Sequence, residues 1–508
     1  MRVQIPLAPY LIKSDGGQSD MEDLDLVSKL SPEELGYKRF CLQCVFPDDG
    51  KYEGASRKLK PYLSDEAEWR TCAFMQRILL ETRVEFGQAG KIHLDEVDAA
   101  LPKIDLLNMA LLEDKVTRHD QLAVIEELGR FVSEETKALL HPGTTSYDIL
   151  DPVRAYLFRK AWKEVIRPEV TKSIETLCQF AEQNMEVLQV GRTHLQNTSP
   201  VPLGLTFSIY AARLANRLQK CDEYFNDLKG KVSGIVGTGA SIDMVVGEGK
   251  SIEFEKAVLA KLDIKPDYAS TQITPKEGLA DVGHGLTTLV HVLADFTNDT
   301  RMLYSSAIGE VTSLDSSARL GGSSADAAKN NPINYENNTG KAVVVESGMR
   351  VLYEMIHSDF QRDLRNSVQL RYQPRLMMVE TYESFCRLNK ALPQLWVIRA
   401  QVEENLLPVR KSPSEAMVAI LRGAGWNHST YGAGHDFVKE ISKKVKSENR
   451  TLLEIALEDA EFAALYETLT ENKRDVLKGK LEKYIGSSMQ RTMINMSYAK
   501  DAIADPLY

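Results

Sequence analysis

Residues 286–303 read LTTLVHVLADFTNDTRML, and within them Leu286, Leu289, Val290, Leu293, Phe296 and Leu303 recur at spacings of three, four and seven. That period lines apolar side chains along one stripe of an α-helix, whereas a half-buried strand alternates every second residue. No proline lies between Pro275 and Pro332, so nothing in the backbone chemistry stops the helix early. Upstream, Leu205, Ile209, Leu214, Leu218, Phe225 and Leu228 repeat the pattern, with one five-residue step, in the proline-free stretch between Pro202 and Pro266. Stripes longer than an ordinary globular helix predict long helices packed side by side, with broad apolar faces left for a bundle of several chains. Period-two, β-branched runs joined by Asn-Gly turns are nearly absent, so the expected fold class is all-α.

The composition agrees. Of 508 residues, 43% are apolar but only 7% aromatic, which makes the core aliphatic, and aliphatic straight-chain residues lose little freedom on a helix. The net charge of −10 argues against a general nucleic-acid binder, which needs an excess of Lys and Arg to neutralise phosphates. No run approaches the roughly 18 apolar residues of a membrane span. The N-terminus, MRVQIPLAPYLIKSDGG, has two prolines in a short apolar patch and does not read as a signal peptide. Six cysteines are too few for a disulfide scaffold, and Cys41-x-x-Cys44 stands alone, so these are expected to be ordinary helix-face thiols in a cytoplasmic protein.

Chemistry is sought where polar and small residues interrupt the helical text. Five islands do so: Thr117-Arg118-His119-Asp120; His141 through Asp148, reading HPGTTSYD; Gly191-Arg192-Thr193-His194-Leu195-Gln196; Gly321 through Pro332, with Glu336 beyond; and Arg362-Asp363-Leu364-Arg365-Asn366-Ser367, with Arg371 after it. Singly, each has a plain structural reading. Thr145-Ser146 serves as a helix N-cap with Asp148 complementing the dipole, and Arg362, Arg365 and Arg371 form a solvated helix face. Together they say more. Backbone N–H groups of a Gly-Gly-Ser-Ser loop can surround an anion, with Lys329 and Asn331 adding a cation and an amide. On one helix Ser367 would project about 140° and Arg371 about 180° from Arg362, so it takes a helix that starts or bends near Asp363 to bring two guanidiniums and a hydroxyl to one phosphate. The sum is a site for a multiply anionic substrate with imidazoles for proton transfer.

These islands resemble the fumarase/aspartase superfamily, and within it the adenylosuccinate lyase branch. The superfamily's loop Gly-Ser-Ser-x-Met-Pro-x-Lys-x-Asn-Pro appears as Gly322-Ser323-Ser324-Ala325-Asp326-Ala327-Ala328-Lys329-Asn330-Asn331-Pro332. The Arg118-His119-Asp120, Thr145-Ser146-x-Asp148 and Gly191-Arg192-Thr193-His194-x-Gln196 segments look like the adenylosuccinate branch, as do Ser270-Thr271-Gln272-Ile273 and Gln361 through Arg371. Asp49-Gly50-Lys51-Tyr52 resembles an Asp-Gly-Arg-Tyr near the N-terminus of bacterial members, with Lys in place of Arg. The order of segments also fits, over roughly residues 45–375.

The resemblance implies three helical domains, 1–139, 140–375 and 376–508, with the long central helices assembled into a homotetrameric bundle and each active site gathered from three subunits. It implies elimination of fumarate from adenylosuccinate to give AMP, and from the related imidazole-carboxamide intermediate SAICAR. Ser323 is then the base, its alkoxide stabilised by Lys329 and loop N–H groups, and His194 the acid for the departing amine. His119 assists it or holds the nucleotide. Lys51, Tyr52, Arg118, His141, Thr145, Ser146, Gln272, Asn331 and Glu336 line the substrate, and Arg362, Ser367 and Arg371 grip the 5′-phosphate. No metal or organic cofactor is required. The loop departs from the pattern in having Asp326-Ala327 for Met-Pro, which removes a φ constraint worth about 0.4–1 kcal/mol and adds a charge where succinyl carboxylates are expected. Two other readings are a sister lyase releasing fumarate from another succinylated amine, which the altered loop suggests, and a non-catalytic nucleotide-binding or scaffold relative. Keeping Ser323, Lys329, His119 and His194 together counts against the last.

Overall fold

A computed structural model describes Val27, residues 30–314 and residues 330–504. The chain is all-α, with four two-stranded β-pairings among the described residues. The stretch that opened the sequence reading lies inside a helix of 28 residues, Glu277–Tyr304. The upstream stripe forms Leu203–Asn226, which stops short of Leu228. Two further long helices follow, Ile333–Glu354 and Arg365–Ala391. No described helix is long and apolar enough to cross a membrane, and all six cysteines are free thiols.

The chain divides into two compact units. One draws on Met1–Pro168, Glu223–Leu286 and Val345–Glu383. Its centre is helix Ser146–Ala161, which buries charge as well as apolar surface: Asp148, Asp151 and Arg154 fall at intervals of three, on one face. Burial of such groups is costly unless each is paired, and each is. Arg154 grips Glu68 in a two-bonded fork at 3.0 and 2.8 Å, and Arg375 adds a third bond to Glu68 at 2.8 Å. Burial pushes the Glu68 carboxyl up, but the two guanidiniums outweigh it and hold it down at about 2. Asp151 meets Lys276 Nζ at 2.9 and 3.0 Å, and Asp148 meets Lys231, both fully buried. Trp162 stacks on Phe225, centroids 4.8 Å apart.

The other unit draws on Glu169–Asp222, Thr287–Val344 and Ser384–Tyr508. Phe180, Phe207, Phe296 and Tyr210 form a ladder of ring contacts 4.4–5.5 Å apart. Gly204, at the start of Leu203–Asn226, lets that helix lie on backbone: a Cβ there would come 2.6 Å from both Ala181 O and Met185 Cα. A separate apolar cluster from Met417 to Leu477 centres on Phe437 and Phe462.

Candidate functional site

Within the first unit the structure closes four sequence segments around the N-terminus of helix Ser146–Ala161. Thr145 and Asp148 form a capping box, with the Thr145 N–H donating to Asp148 Oδ2 at 2.7 Å. Just before it, His141 and Gly143 have φ of 64° and 75°, which folds the His141–Thr144 turn tightly against the cap. His141 Nδ1 lies 3.0 Å from Gln76 Nε2. Burial pushes the imidazole of His141 down to about 4, so the ring is neutral at physiological pH.

The first island reaches the same place by a break in helical geometry. Helix Leu106–Leu112 runs into a π-turn, Glu113–Thr117, closed by an Arg118 N–H to Glu113 O bond at 3.0 Å. Arg118 then turns left-handed at φ 51°, exposed and 3.6 Å from Asp114. That turn makes His119 the N-cap of helix Asp120–Gly129, its Nδ1 accepting the Leu122 N–H at 3.4 Å. Nε2 is thereby left 3.1 Å from Ser146 Oγ. With Nδ1 as acceptor, neutral His119 carries its proton on Nε2 and donates it to the serine hydroxyl.

The phosphate candidates do not share one helix. The last helix of this unit starts at Arg365, not near Arg362, because Asp363 Oδ1 accepts the Arg365 N–H at 2.7 Å and caps it. Arg362 therefore sits on irregular chain, where Nη1 donates to Gln272 Oε1 at 2.8 Å and its guanidinium lies 4.0 Å above the ring of Tyr147. Thr271 Oγ1 also donates to Gln361 O at 2.7 Å, tying the two segments together. Ser367 falls in the first turn of Arg365–Ala391, and Arg371 beyond it approaches Asp120 at 3.7 Å. An unbroken chain of contacts thus runs Arg371–Asp120–His119–Ser146–Tyr147–Arg362–Gln272.

One segment of this cluster escaped the sequence reading. The loop 231–241 carries glycines at 234, 237 and 239, all with φ between 72° and 80°. Ser233 and Gly234 N–H groups donate to Asp148 at 2.9 and 3.2 Å, Ser241 Oγ donates to Gly143 O at 2.6 Å, and a Cβ on Gly237 would meet Ser270 O at 2.6 Å. The spacing Gly-x-x-Gly-x-Gly was the available signal.

The remaining candidates lie elsewhere. Lys51 is exposed, its Nζ 5.8 Å from the Tyr52 ring. In the second unit the Gly191–Gln196 island is a β-hairpin, Leu188–Thr193 against Gln196–Pro202, with His194 and Leu195 as its two-residue turn. Both turn residues are left-handed, at φ 52° and 59°, and exposed, which presents the imidazole at the tip. Arg192 anchors the hairpin to buried Glu310 at 3.2 Å. Asn331 precedes helix Ile333–Glu354, and Glu336 is exposed in its first turn. Ser323 and Lys329 lie outside the described residues. Among the described residues one acidic group could share an ion: Asp48, Glu380 and Glu383, whose oxygens lie within 4.8 Å of one another. All three make other polar interactions.

The family model described as Lyase matches residues 105–346, which span every segment of the cluster except Arg362 through Arg371. The adenylosuccinate lyase of Pyrococcus horikoshii is 28% identical over 387 residues, 75% of this chain and 82% of that one. That of Archaeoglobus fulgidus is 25% identical over 462 residues, 88% and 97%. The chain is similar in sequence to these adenylosuccinate lyases. Among solved structures, 3-carboxy-cis,cis-muconate lactonizing enzyme from Pseudomonas putida superposes with a TM-score of 0.75 at 19% identity, covering 88% of this chain and 97% of that one. A fumarate lyase from Mesorhizobium sp. BNC1 gives 0.73 at 19%, covering 87% and 97%. The likeness of fold and sequence is that of a fumarate-lyase-type enzyme.

Proposed function

We propose that this protein is a cytoplasmic lyase that eliminates fumarate from adenylosuccinate, giving AMP, and from SAICAR in the same way. The observation that carries the reading is the contact chain from Arg371 to Gln272. It links an imidazole, a hydroxyl, a helix N-terminus and two guanidiniums in one cluster, the donors that a phosphorylated, succinylated nucleotide requires. In this reading Arg362, Ser367 and Arg371 take the 5′-phosphate, while Thr145, Ser146, His141 and Gln272 hold the base and succinyl group. Lys51, Tyr52, Arg118 and Glu336 complete the lining.

Ser323, as alkoxide, removes the proton from the succinyl carbon next to a carboxylate. The carbanion's charge spreads into that carboxylate, held by Lys329 and Asn331. The carbon–nitrogen bond then breaks, its electron pair goes to nitrogen, and His194 supplies the proton. His119, which donates to Ser146, turns to the substrate when it binds. His194 and Asn331 stand on segments other than the His119 cluster, which fits an active site completed by neighbouring subunits of a homotetramer.

A coupled assay tests this directly: purified protein, adenylosuccinate, absorbance at the purine band and enzymatic detection of fumarate. Equimolar AMP and fumarate are expected. Absence of both, with the tetramer intact by light scattering, overturns the reading. The Asp326-Ala327 pair favours one second reading, a sister lyase acting on a different succinylated amine. In that case fumarate appears from another substrate, and Asp326→Met with Ala327→Pro brings adenylosuccinate cleavage in.

A further inference from the structure

The ring of Tyr147 is 1% exposed, in the first turn of helix Ser146–Ala161. A buried tyrosine normally finds a partner for its hydroxyl. Tyr147 Oη has none among the described residues. Among the described residues nothing uses that hydroxyl, and what the ring does touch is informative. The guanidinium carbon of Arg362 lies over it at 4.0 Å, in van der Waals contact. Lys276 Nζ is also near, at 5.9 Å, but that charge is matched by Asp151 at 2.9 Å. No carboxylate pairs with Arg362 among the described residues; its one hydrogen bond goes to the neutral amide of Gln272, and its Nε is buried without a partner.

Arg362 precedes the helix that begins at Arg365, so helical geometry does not aim it. Just before it, Phe360 has φ 52°, a left-handed kink that sets the path of this irregular segment. An arginine on such a segment samples many rotamers, and each binding event must freeze them. A ring beneath the guanidinium freezes them beforehand. Stacking uses the flat face and leaves the in-plane N–H groups for an anion, which is the geometry a phosphate monoester needs.

We infer that Tyr147 is a positioning residue for Arg362, and that through it the protein distinguishes phosphorylated substrates from their nucleosides. This rests on the reading of Arg362 as a phosphate ligand. The ring, not the hydroxyl, does the work. Removing it lowers affinity for the phosphorylated substrate by the worth of one partly desolvated cation–π contact, about 5- to 30-fold. Chemistry at the succinyl group is not touched.

The test compares wild type, Tyr147→Leu, Tyr147→Met and Tyr147→Phe on adenylosuccinate and on succinyladenosine, its dephosphorylated form. For Leu and Met, KM for the nucleotide is expected to rise about 5- to 30-fold with kcat within about twofold, and KM for the nucleoside to stay put. Phe keeps the ring and restores the nucleotide KM. Equal losses on both substrates, or a fall in kcat with unchanged KM, would reduce Tyr147 to a packing residue and overturn the inference. So would a Phe variant as impaired as Leu, and that variant folds whether or not Leu and Met do, since the hydroxyl has no bond to lose among the described residues. If wild type cleaves no adenylosuccinate, the functional reading fails by itself. Titration calorimetry with inorganic phosphate then decides the Tyr147 question: weaker binding to Leu and Met than to wild type and Phe supports it, and equal binding by all four overturns it.

Discussion

His141 makes the stability of the first unit depend on pH in a direction the structure specifies. Burial lowers its imidazole from an ordinary 6.5 to about 4. Between those values the unfolded chain takes up a proton that the folded site refuses, so stability falls as the solution is acidified through this window. The full penalty, reached below about pH 4, is about 3 kcal/mol; between pH 7 and pH 5 the share is about 2 kcal/mol. The bond to Gln76 is not the cause. Gln76 Oε1 is itself buried without a partner, so a rotated amide would accept from a protonated ring as readily as its Nε2 now donates to a neutral one. Desolvation therefore carries the effect. His141→Asn isolates it, since the Asn oxygen falls near the place of Nδ1 and Asn tolerates the positive φ. Urea unfolding followed by circular dichroism at pH 7 and pH 5 should show wild type losing about 2 kcal/mol more than the variant across the interval. Parallel losses in the two proteins would refute the argument.

Three further outcomes are expected. Asp148→Asn leaves the fully buried Lys231 without its counter-charge and should cost about 3–5 kcal/mol, read as a lowered urea midpoint; Lys231→Met added to it should restore part of that, and a single mutant as stable as wild type would deny the pair its role. Gly204→Ala drives a methyl against Ala181 O and Met185 Cα and should cost about 1–3 kcal/mol, with a thermal midpoint unchanged from wild type counting against the close approach. Ser323→Ala and His194→Ala should each lower turnover by about a hundredfold or more while leaving substrate affinity largely intact; near-normal turnover in either removes that residue from proton transfer.

The long helices were legible because a burial stripe repeats along them with nothing to break it, as from Leu286 to Leu303. What hid was geometry set by polar side chains. Spacing alone did not say where the Arg362 segment turns helical; the Asp363 carboxylate sets that point at Arg365. The hairpin at Leu188–Pro202 was missed because its turn is His-Leu, not the Asn-Gly that left-handed backbone favours. Nothing in the sequence singles out Asp151 and Arg154, because their partners Lys276 and Glu68 are distant in the chain and meet them only in space. The polar islands themselves were visible, and those at His119, Ser146 and Arg362 do meet in one unit, joined by the Gln272 segment that only the family resemblance had pointed to.

The π-turn at Glu113–Thr117 amounts to one surplus amino acid wound into a helix. Deleting a residue there, Val116 for example, would let the coil close regularly, and local order would gain. The point where the chain leaves that helix for Arg118 would then shift by about 100°, one residue's worth of helix, and the His119 ring would swing off Ser146. A shorter chain that is better wound but aims its imidazole at solvent should fold well and work poorly. The bulge is in this sense a setting of angle written as length, and loss of a single codon would undo it.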